Sequence, residues 1–354
     1  MEVGIAEKVR RIALYYLRLI GYAASAKPKI FHILWNNKFE AVDRTLLMLY
    51  YRAFGKRIVL TAHNVNAAKR DASDSFFNRL TLRIQYRLAH HIFVHTEQMK
   101  RELIEGFNPP ADRVSVIPFG INNSLPDTSL TAREAKERLG LRNEDKALLF
   151  FGRITPYKGL EYLVSALRDL RTHDKGFRLV IAGRPDRCEE YWSRLRGGIE
   201  EEIKRGDILL NAGFIPDHEV EVYFKAADAL VLPYRDIYQS GVLFLGQGFG
   251  LPVLAADVGS LKDEIVDGVN GLTFRPEDPA DLARAIEQHF AGDLYRHLDK
   301  RRAGIKAIAT QRHSWDVVGE MTTSVYAKLM QGYRKARNFK RDASAPSLDA
   351  DARP

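Results

Sequence analysis

Short apolar runs alternate with longer amphipathic segments along most of this chain, and that alternation leaves few folds open. The runs KIFHILW, RIVLTAH, HIFVH and VSVIPFG have strand length and are rich in Ile, Val and Phe. Between them, EAVDRTLLMLYYRAF, FFNRLTLRIQYRLA and TEQMKRELIEGF carry apolar residues at helical spacing. A polar stretch, INNSLPDTSLTAREAKERLGLRNEDK, interrupts the pattern, which restarts with ALLFFG, FRLVIAG, ILLNAGF, ALVLPY and PVLAADV. Strands that read as continuous apolar runs, each followed by helical or loop sequence, predict parallel sheets covered on both faces. The expected fold class is α/β, with two doubly wound parallel-sheet domains separated by the polar stretch. A chain of 354 residues is long enough to bury two cores. No repeat of fixed period is present.

The formal charge of +9 favours anionic partners such as phosphates, nucleic acid or an acidic membrane surface, without choosing among them. Much of it lies at the ends. Residues 1–30 hold six Lys and Arg against two Glu, and residues 331–354 hold six against three Asp. The tail RDASAPSLDADARP is small, polar and Pro-containing, and is expected to be disordered. A single cysteine, Cys188, excludes an internal disulfide framework and suits a reducing cytosol. No run of about 18 uncharged apolar residues is present, and Arg10, Arg11 and Arg18 break the N-terminal apolar segment that a signal peptide would need. In that segment Ile5, Val9, Ile12, Tyr16 and Leu19 share one helical face, while Lys8, Arg11 and Arg18 lie on another. Such a helix either lies on an anionic membrane surface or packs on its own domain.

Two loops carry the chemistry. In LLFFGRITPYKGLEYLVSAL a strand ends at Phe151, Gly152 and Arg153 follow, and Lys158 and Gly159 precede a helical pattern at Leu160, Leu163, Val164 and Leu167. Ligands of parallel α/β sheets sit at strand carboxyl ends, and helix N-termini attract anions. Two cations placed there make an anion site suited to a diphosphate, although two solvated surface cations would leave the same residues. The second loop lies in YRDIYQSGVLFLGQGFGLP. There a helix starts near Ser240, so that Ser240 and Gly241 leave backbone N–H groups for a phosphate unless Ser240 is a plain N-cap. Thr96 reads as a helix N-cap and no more. GRITPYKG is not a P-loop, since it lacks Gly-x-x-x-x-Gly-Lys-Ser/Thr. GQGFGLP is not a dinucleotide fingerprint, because Leu251 replaces the third Gly and a strand follows rather than precedes it. No His/Cys set has metal spacing, no Gly-x-Ser-x-Gly elbow occurs, and the one Asp-x-Asp, Asp349 and Asp351, lies in the tail. No aromatic-basic stripe supports nucleic acid as a partner.

These residues resemble the donor domain of a GT-B glycosyltransferase of family 4. FFGRITPYKGLEYLVSAL is similar to its Gly-Arg…Lys-Gly loop and RLVIAGRP to its second glycine-ended strand. NAGFIPDHEVEVYFKAADALVLPY and GLPVLAADVGSLKDEIVDGVNGLTF are similar to the segments that complete the domain, in the same order over about residues 147–290. The first half is similar more loosely, through VLTAHN, VHTEQMKRELI and VSVIPFGIN. The resemblance implies GT-B architecture, two Rossmann-like domains facing a cleft. Residues 1–123 would form an acceptor-side domain, 124–145 a junction and 146–305 the nucleotide-sugar donor domain. Residues 306–335 would be helices that cross back to the first domain, and 336–354 a disordered basic tail.

The resemblance also implies roles. Arg153 and Lys158 would hold the donor diphosphate in place of a metal, beside Gly152 and Gly183. Phe214 and Ile215 would meet the base. Ser240, Gly241 and Val242 would cap the phosphate through N–H groups. His63 would face the transferred sugar, Gly120 to Asn122 would line the cleft, and Glu264 occupies the family's acidic position after the glycine turn. Two departures accompany these matches. The family's pair of glutamates eight residues apart falls, on alignment at Gly250-Leu251-Pro252, on Ile237 and Leu245. Asp236 stands next to the first lost position and Gln239 one residue before the helix start; either would contact donor hydroxyls instead, unless Asp236 is a solvated loop carboxylate. The chain also opens on a basic helix where members open on a strand and a glycine-rich loop, so the first domain is expected to lack them. The resemblance thus implies a retaining, metal-independent, hexosyltransferase-type enzyme that needs no cofactor. It would move a sugar from a UDP- or GDP-sugar to a lipid-linked or glycan acceptor in cell-surface polysaccharide or glycolipid assembly. Its expected place is the cytoplasm, peripheral on the inner membrane face. The alternative is a non-catalytic GT-B-like protein that binds nucleotides or partners.

Overall fold

The computed structural model describes residues 4–37, 39–70, 73–121 and 124–343. The chain divides into two compact units, residues 1–117 with 316–354, and residues 118–315.

The first unit is built on a four-stranded parallel sheet of β1 (Ile30–Ile33), β2 (Arg57–Thr61), β3 (His91–Val94) and β4 (Val114–Val116), in the order β1-β2-β3-β4. Strand alternation sends Val59 and Phe93 to one face, where Ile117 joins them. Val318, Met321, Val325 and Tyr326 of the helix Trp315–Ala343 close that core. Ile58, Leu60, Ile92 and Val94 are buried on the other face, as are Leu82, Tyr86, Met99 and Leu103 of the helices Phe76–Leu88 and Glu97–Phe107. Thr96 caps the latter helix, its hydroxyl accepting from Met99 N at 3.0 Å, as the sequence suggests. The N-terminal helix forms as expected, over Ile5–Ser25.

The second unit has six parallel strands: β5 (Lys146–Phe151), β6 (Phe177–Ala182), β7 (Ile208–Asn211), β8 (Ala229–Leu232), β9 (Val253–Ala256) and β10 (Gly271–Phe274). Their order is β10-β9-β8-β5-β6-β7. The pleat splits the strands between two cores. Leu148, Phe150, Leu179, Ile181, Val231 and Leu254 face one side. Ala147, Leu149, Val180, Leu230, Leu232 and Val253 face the other. The helices Leu160–His173 and Pro279–Ala291 cover the first side. The helices Asp217–Ala226 and Gly241–Gly248 cover the second. The glycines of the latter helix allow a close approach to the sheet, since a Cβ on Gly246 would come within 2.6 Å of Leu230 Cδ2. The chain runs outward from β5 through β6 to β7, then returns to place β8 on the other side of β5. Parallel α/β sheets bind ligands at such a reversal, here at the carboxyl ends of β5 and β8.

Three boundaries differ from expectation. The segment 124–145 is part of the second unit. Its helix Ala132–Arg138 buries Lys136, which binds the buried Asp228 carboxylate at 3.0 Å. Residues 306–315 stay with the second unit too, and the chain rejoins the first at Asp316. The last helix runs to Ala343, past the expected start of the disordered tail at 336, because RKARNFKRDA is made mostly of good helix formers. The remainder, 344–354, lies outside the described residues.

Candidate functional site

The two loops singled out in the sequence follow β5 and β8, the strands that flank the point where strand order reverses. After β5 the chain turns at Gly152, with φ of +96°. A Cβ there would lie 3.2 Å from Lys158 Nζ and 3.4 Å from Val242 Cγ2. The Lys158 ammonium and the start of the helix Gly241–Gly248 therefore both border the Gly152 backbone. Gly183, after β6, takes φ of +147°, and a Cβ on it would meet the Gly152 carbonyl oxygen at 1.9 Å. Only glycine lets these two strand-end loops touch.

Lys158 is 6% exposed. Its ammonium lies 5.3 Å from the centre of the Tyr234 ring and 5.9 Å from that of Phe150. Among the described residues no carboxylate pairs with it. Burial, and secondarily the Arg153 charge, pull its pKa down to about 7. A desolvated cation without a counter-ion is a costly arrangement, and an anionic ligand would relieve it.

Arg153 is placed differently from the expected twin of Lys158. Its side chain is 65% exposed and binds Asp186 Oδ2 at 2.8 Å. Asp186 reaches it because Asp186 N donates to Ile154 O at 3.1 Å, which locks the loop after β6 onto the loop after β5. Asp186 was not legible as a site residue, since it becomes one only through this loop contact.

At the second loop, Ser240 is buried at the N-cap position but its hydroxyl caps nothing. The Gly241 and Val242 N–H groups have no acceptor among the described residues, while Leu243 N is already bonded to Ser240 O at 3.1 Å. Among the described residues, three buried polar atoms in the two loops lack partners: Thr155 Oγ1, Tyr234 OH and Gln239 Oε1. Burial raises the Tyr234 phenol above its ordinary pKa. The Ser240 hydroxyl is close enough to oppose that shift, yet the pair falls short of hydrogen-bond geometry. Asp236 is exposed, and its carboxylate has no partner among the described residues. After β7, Phe214 is 74% exposed and Ile215 is buried, so the loop presents one aromatic face and anchors the next side chain. The helix-start amides, one buried ammonium and an exposed ring thus follow β8, β5 and β7 of one parallel sheet.

Several expected residues have structural partners instead. Glu264 binds His313 Nε2 at 3.1 Å. A Cβ on Gly120 would lie 2.6 Å from the Trp315 ring, so its smallness seats that indole; Asn122 lies outside the described residues. Ile237 is buried and Leu245 packs against the same core, so apolar side chains fill the expected glutamate positions. Among the described residues no three His, Cys, Asp or Glu cluster to hold a metal ion.

In the first unit His63 follows β2 and His95 follows β3. The parallel register, Val59 opposite His91, brings them level. Their Nδ1 and Nε2 atoms share a 2.9 Å hydrogen bond. Trp35, which sequence reading missed, stacks on His63 with ring centres 4.3 Å apart. Burial lowers the pKa of His63, and burial together with the His63 charge takes His95 to about 4. Both imidazoles are neutral at pH 7.

A doubly wound sheet with a helix start and a buried cation at its switch point has the features with which α/β proteins bind anions. Sequence comparison narrows the class. The family described as "Glycosyl transferases group 1" matches residues 145–291, and "Glycosyltransferase Family 4" matches residues 4–125. The chain belongs to these group 1 glycosyltransferases of GT-B fold. It is 30% identical over 244 residues to an uncharacterized glycosyltransferase of Methanocaldococcus jannaschii, a match covering 67% of this chain and 59% of that relative's length. In structure it is similar to sucrose-phosphate synthase from Thermosynechococcus elongatus, with a TM-score of 0.75 and 19% identity over 94% of this chain and 81% of that one. It is also similar to Anabaena HepE in complex with UDP-glucose, with a TM-score of 0.72 and 18% identity over 88% of this chain and 81% of that one.

Proposed function

We propose that this chain is a retaining, hexosyltransferase-type enzyme that moves a sugar from a nucleoside-diphosphate sugar to an acceptor. The observation that carries the proposal is Lys158: a buried ammonium, without a carboxylate among the described residues, bordering the same glycine as an open helix start. A diphosphate supplies the missing charge. Lys158 and the Gly241 and Val242 amides bind it, and Arg153 joins by exchanging Asp186 for a phosphate oxygen. Stabilising negative charge on the departing nucleotide is the catalytic contribution these groups make, and it needs no divalent ion. Phe214 stacks on the base. Gln239, with its unpartnered buried oxygen, and Asp236 contact donor hydroxyls in place of the absent glutamates. His63, held neutral and oriented by His95 and Trp35, accepts or donates a hydrogen bond at the transferred sugar. UDP-glucose in HepE favours a UDP-sugar as donor, with GDP-sugars as the other class to test. The basic helix Ile5–Ser25 suits work on a lipid-linked or glycan acceptor at the inner face of a membrane, in surface polysaccharide or glycolipid assembly.

The test is a thermal-shift screen of UDP- and GDP-sugars, because a ligand that binds only the folded state raises its melting temperature. Calorimetry on wild type and Arg153→Ala/Lys158→Ala follows. Charge-assisted hydrogen bonds contribute roughly 1.5–3 kcal/mol each, so the double variant should bind about 10² to 10⁴-fold more weakly. Equal affinities would remove the diphosphate assignment. One observation favours a second reading, a non-catalytic nucleotide-binding protein: Ile237 and Leu245 are set in the core where the glutamates would stand. Tight UDP binding with no turnover of any donor would decide for it.

A further inference from the structure

In the first unit the helix Ile5–Ser25 and the helical run 40–53 leave an open groove of about 520 Å³ between them. Val9, Ile12 and Ile20 form one wall, and Phe39, Val42 and Leu46 the other. From Val9 to Ile20 the helix rises about 16 Å at 1.5 Å per residue, so the groove is elongated. The apolar side chains are not covered from outside: Leu46 is 64% exposed, and Val9 and Phe39 are exposed with it. Apolar side chains left open along both walls of a groove suit an apolar ligand.

The lining selects its occupant. Among the described residues its only side-chain polar atoms are the hydroxyls of Tyr16 and Tyr50. Tyr16 OH donates to Asp43 Oδ1 at 3.0 Å and accepts from Phe39 N at 3.1 Å. Tyr50 OH donates to Ile20 O at 3.0 Å. A peptide strand laid there would leave its own N–H and C=O groups unpaired, at a cost that burial makes large. An alkyl chain brings no such groups. The charge beside the groove completes the match. At 100° per residue, Lys8 and Arg10 flank the Val9 side on either hand. The helix as a whole carries Lys8, Arg10, Arg11 and Arg18 against Glu7. Arg10 and Arg11 already share Glu7, which leaves Lys8 and Arg18 without an ion pair among the described residues.

We propose that this groove binds one aliphatic chain of a membrane lipid whose head group is anionic, with the head against Lys8, the cation beside Val9 that has no ion pair among the described residues. For its role, seating the lipid part of an acceptor, the inference rests on the proposed function. For its existence it rests on the groove alone.

The probe is radiolabelled 1-palmitoyl-lysophosphatidylglycerol, held below its micelle concentration and dialysed to equilibrium against the full chain. Saturable binding of one lipid per chain is expected. Ala13→Trp and Val42→Trp, which place an indole in the groove, should weaken it tenfold or more. Leu17→Ser and Leu49→Ser, at exposed apolar positions outside the lining, should leave it unchanged. The zwitterionic choline analogue should bind several-fold more weakly. Calorimetry with UDP on all four variants shows that they are folded, and it separates the two claims: lipid binding without UDP binding would sink the donor assignment and spare the groove. The groove proposal fails if no saturable lipid binding occurs, or if both indole variants bind lipid as wild type does. It fails equally if the protein floats with phosphatidylglycerol vesicles yet binds no monomeric lipid, which makes the face a surface contact only. A concentration-dependent dimer abolished by Ala13→Trp would assign the groove to a second copy and overturn it as well.

Discussion

The depressed pKa of Lys158 makes nucleotide binding pH-dependent in a way few other site residues could imitate. In the unliganded protein this lysine loses its proton at a pH of about 7. A diphosphate beside it favours the charged form and restores the pKa toward the ordinary lysine value near 10.4. Below pH 7 the lysine is charged with or without ligand, so it adds no pH dependence there. Above pH 7 the ligand must first recover a proton, and affinity falls about tenfold for each pH unit until the bound-state pKa is reached. At pH 8 the free site is only about one-tenth protonated, so binding should take up roughly 0.9 proton. Phosphate titration, near pH 6, lies below this window. The assay is calorimetry with UDP at pH 7, 8 and 9 in HEPES and Tris, whose ionisation enthalpies differ, so that the heat reports the protons taken up. Lys158→Arg keeps its charge across the range and should bind with no pH dependence above 7. The sign for stability is opposite to that of a partnered lysine. Between pH 7 and 10.5 the unfolded chain binds the extra proton, so the unliganded protein should gain stability with rising pH from this residue. Wild-type affinity that is flat from pH 7 to 9, with no proton uptake at pH 8, would refute the placement of the diphosphate at Lys158.

Three further outcomes follow from the same geometry. Phe214→Ala should weaken UDP about tenfold, since base–aromatic stacking contributes roughly 1–3 kcal/mol, and should leave the melting temperature unmoved because the ring is exposed; an unchanged affinity would take the base away from this loop. Asp236→Asn and Gln239→Leu should each cut kcat/KM about tenfold, from hydroxyl hydrogen bonds of roughly 1.5–3 kcal/mol for the charged group and less for the neutral one. If Asp236→Asn matches wild type, that residue is a solvated loop carboxylate and Gln239 alone remains. Turnover should survive EDTA, because Lys158 and Arg153 supply the charge a divalent ion would bring; loss of activity restored by manganese would contradict this.

The strands were legible because parallel strands buried on both faces are plain apolar runs, as at Leu148 to Phe151 and Ala229 to Leu232. β10 was not, being four residues between a turn and Pro276 and defined mainly by its pairing with β9. The two candidate loops could be placed from strand ends alone, since topology puts ligands there. What the residues do within them could not. Lys158 and Arg153 look equivalent in the sequence, yet one is buried against Tyr234 and the other turned out to Asp186, and both fates depend on contacts from other strands. Trp35 and His95 were missed for the same reason: it takes the β2–β3 register to set His95 beside His63. The domain limits shifted because Lys136 finds its partner at Asp228, 92 residues away.

The central claim is that a nucleoside-diphosphate sugar is the substrate. The most direct measurement is release of nucleoside diphosphate from the best-bound donor, by transfer or by slow hydrolysis, in wild type and in Lys158→Ala. The account predicts turnover by wild type and a loss of about tenfold or more in kcat/KM on removal of the lysine, equivalent to at least ~1.4 kcal/mol of transition-state stabilisation. Release that is absent from wild type with every donor that binds, or equal in the two proteins, would contradict it.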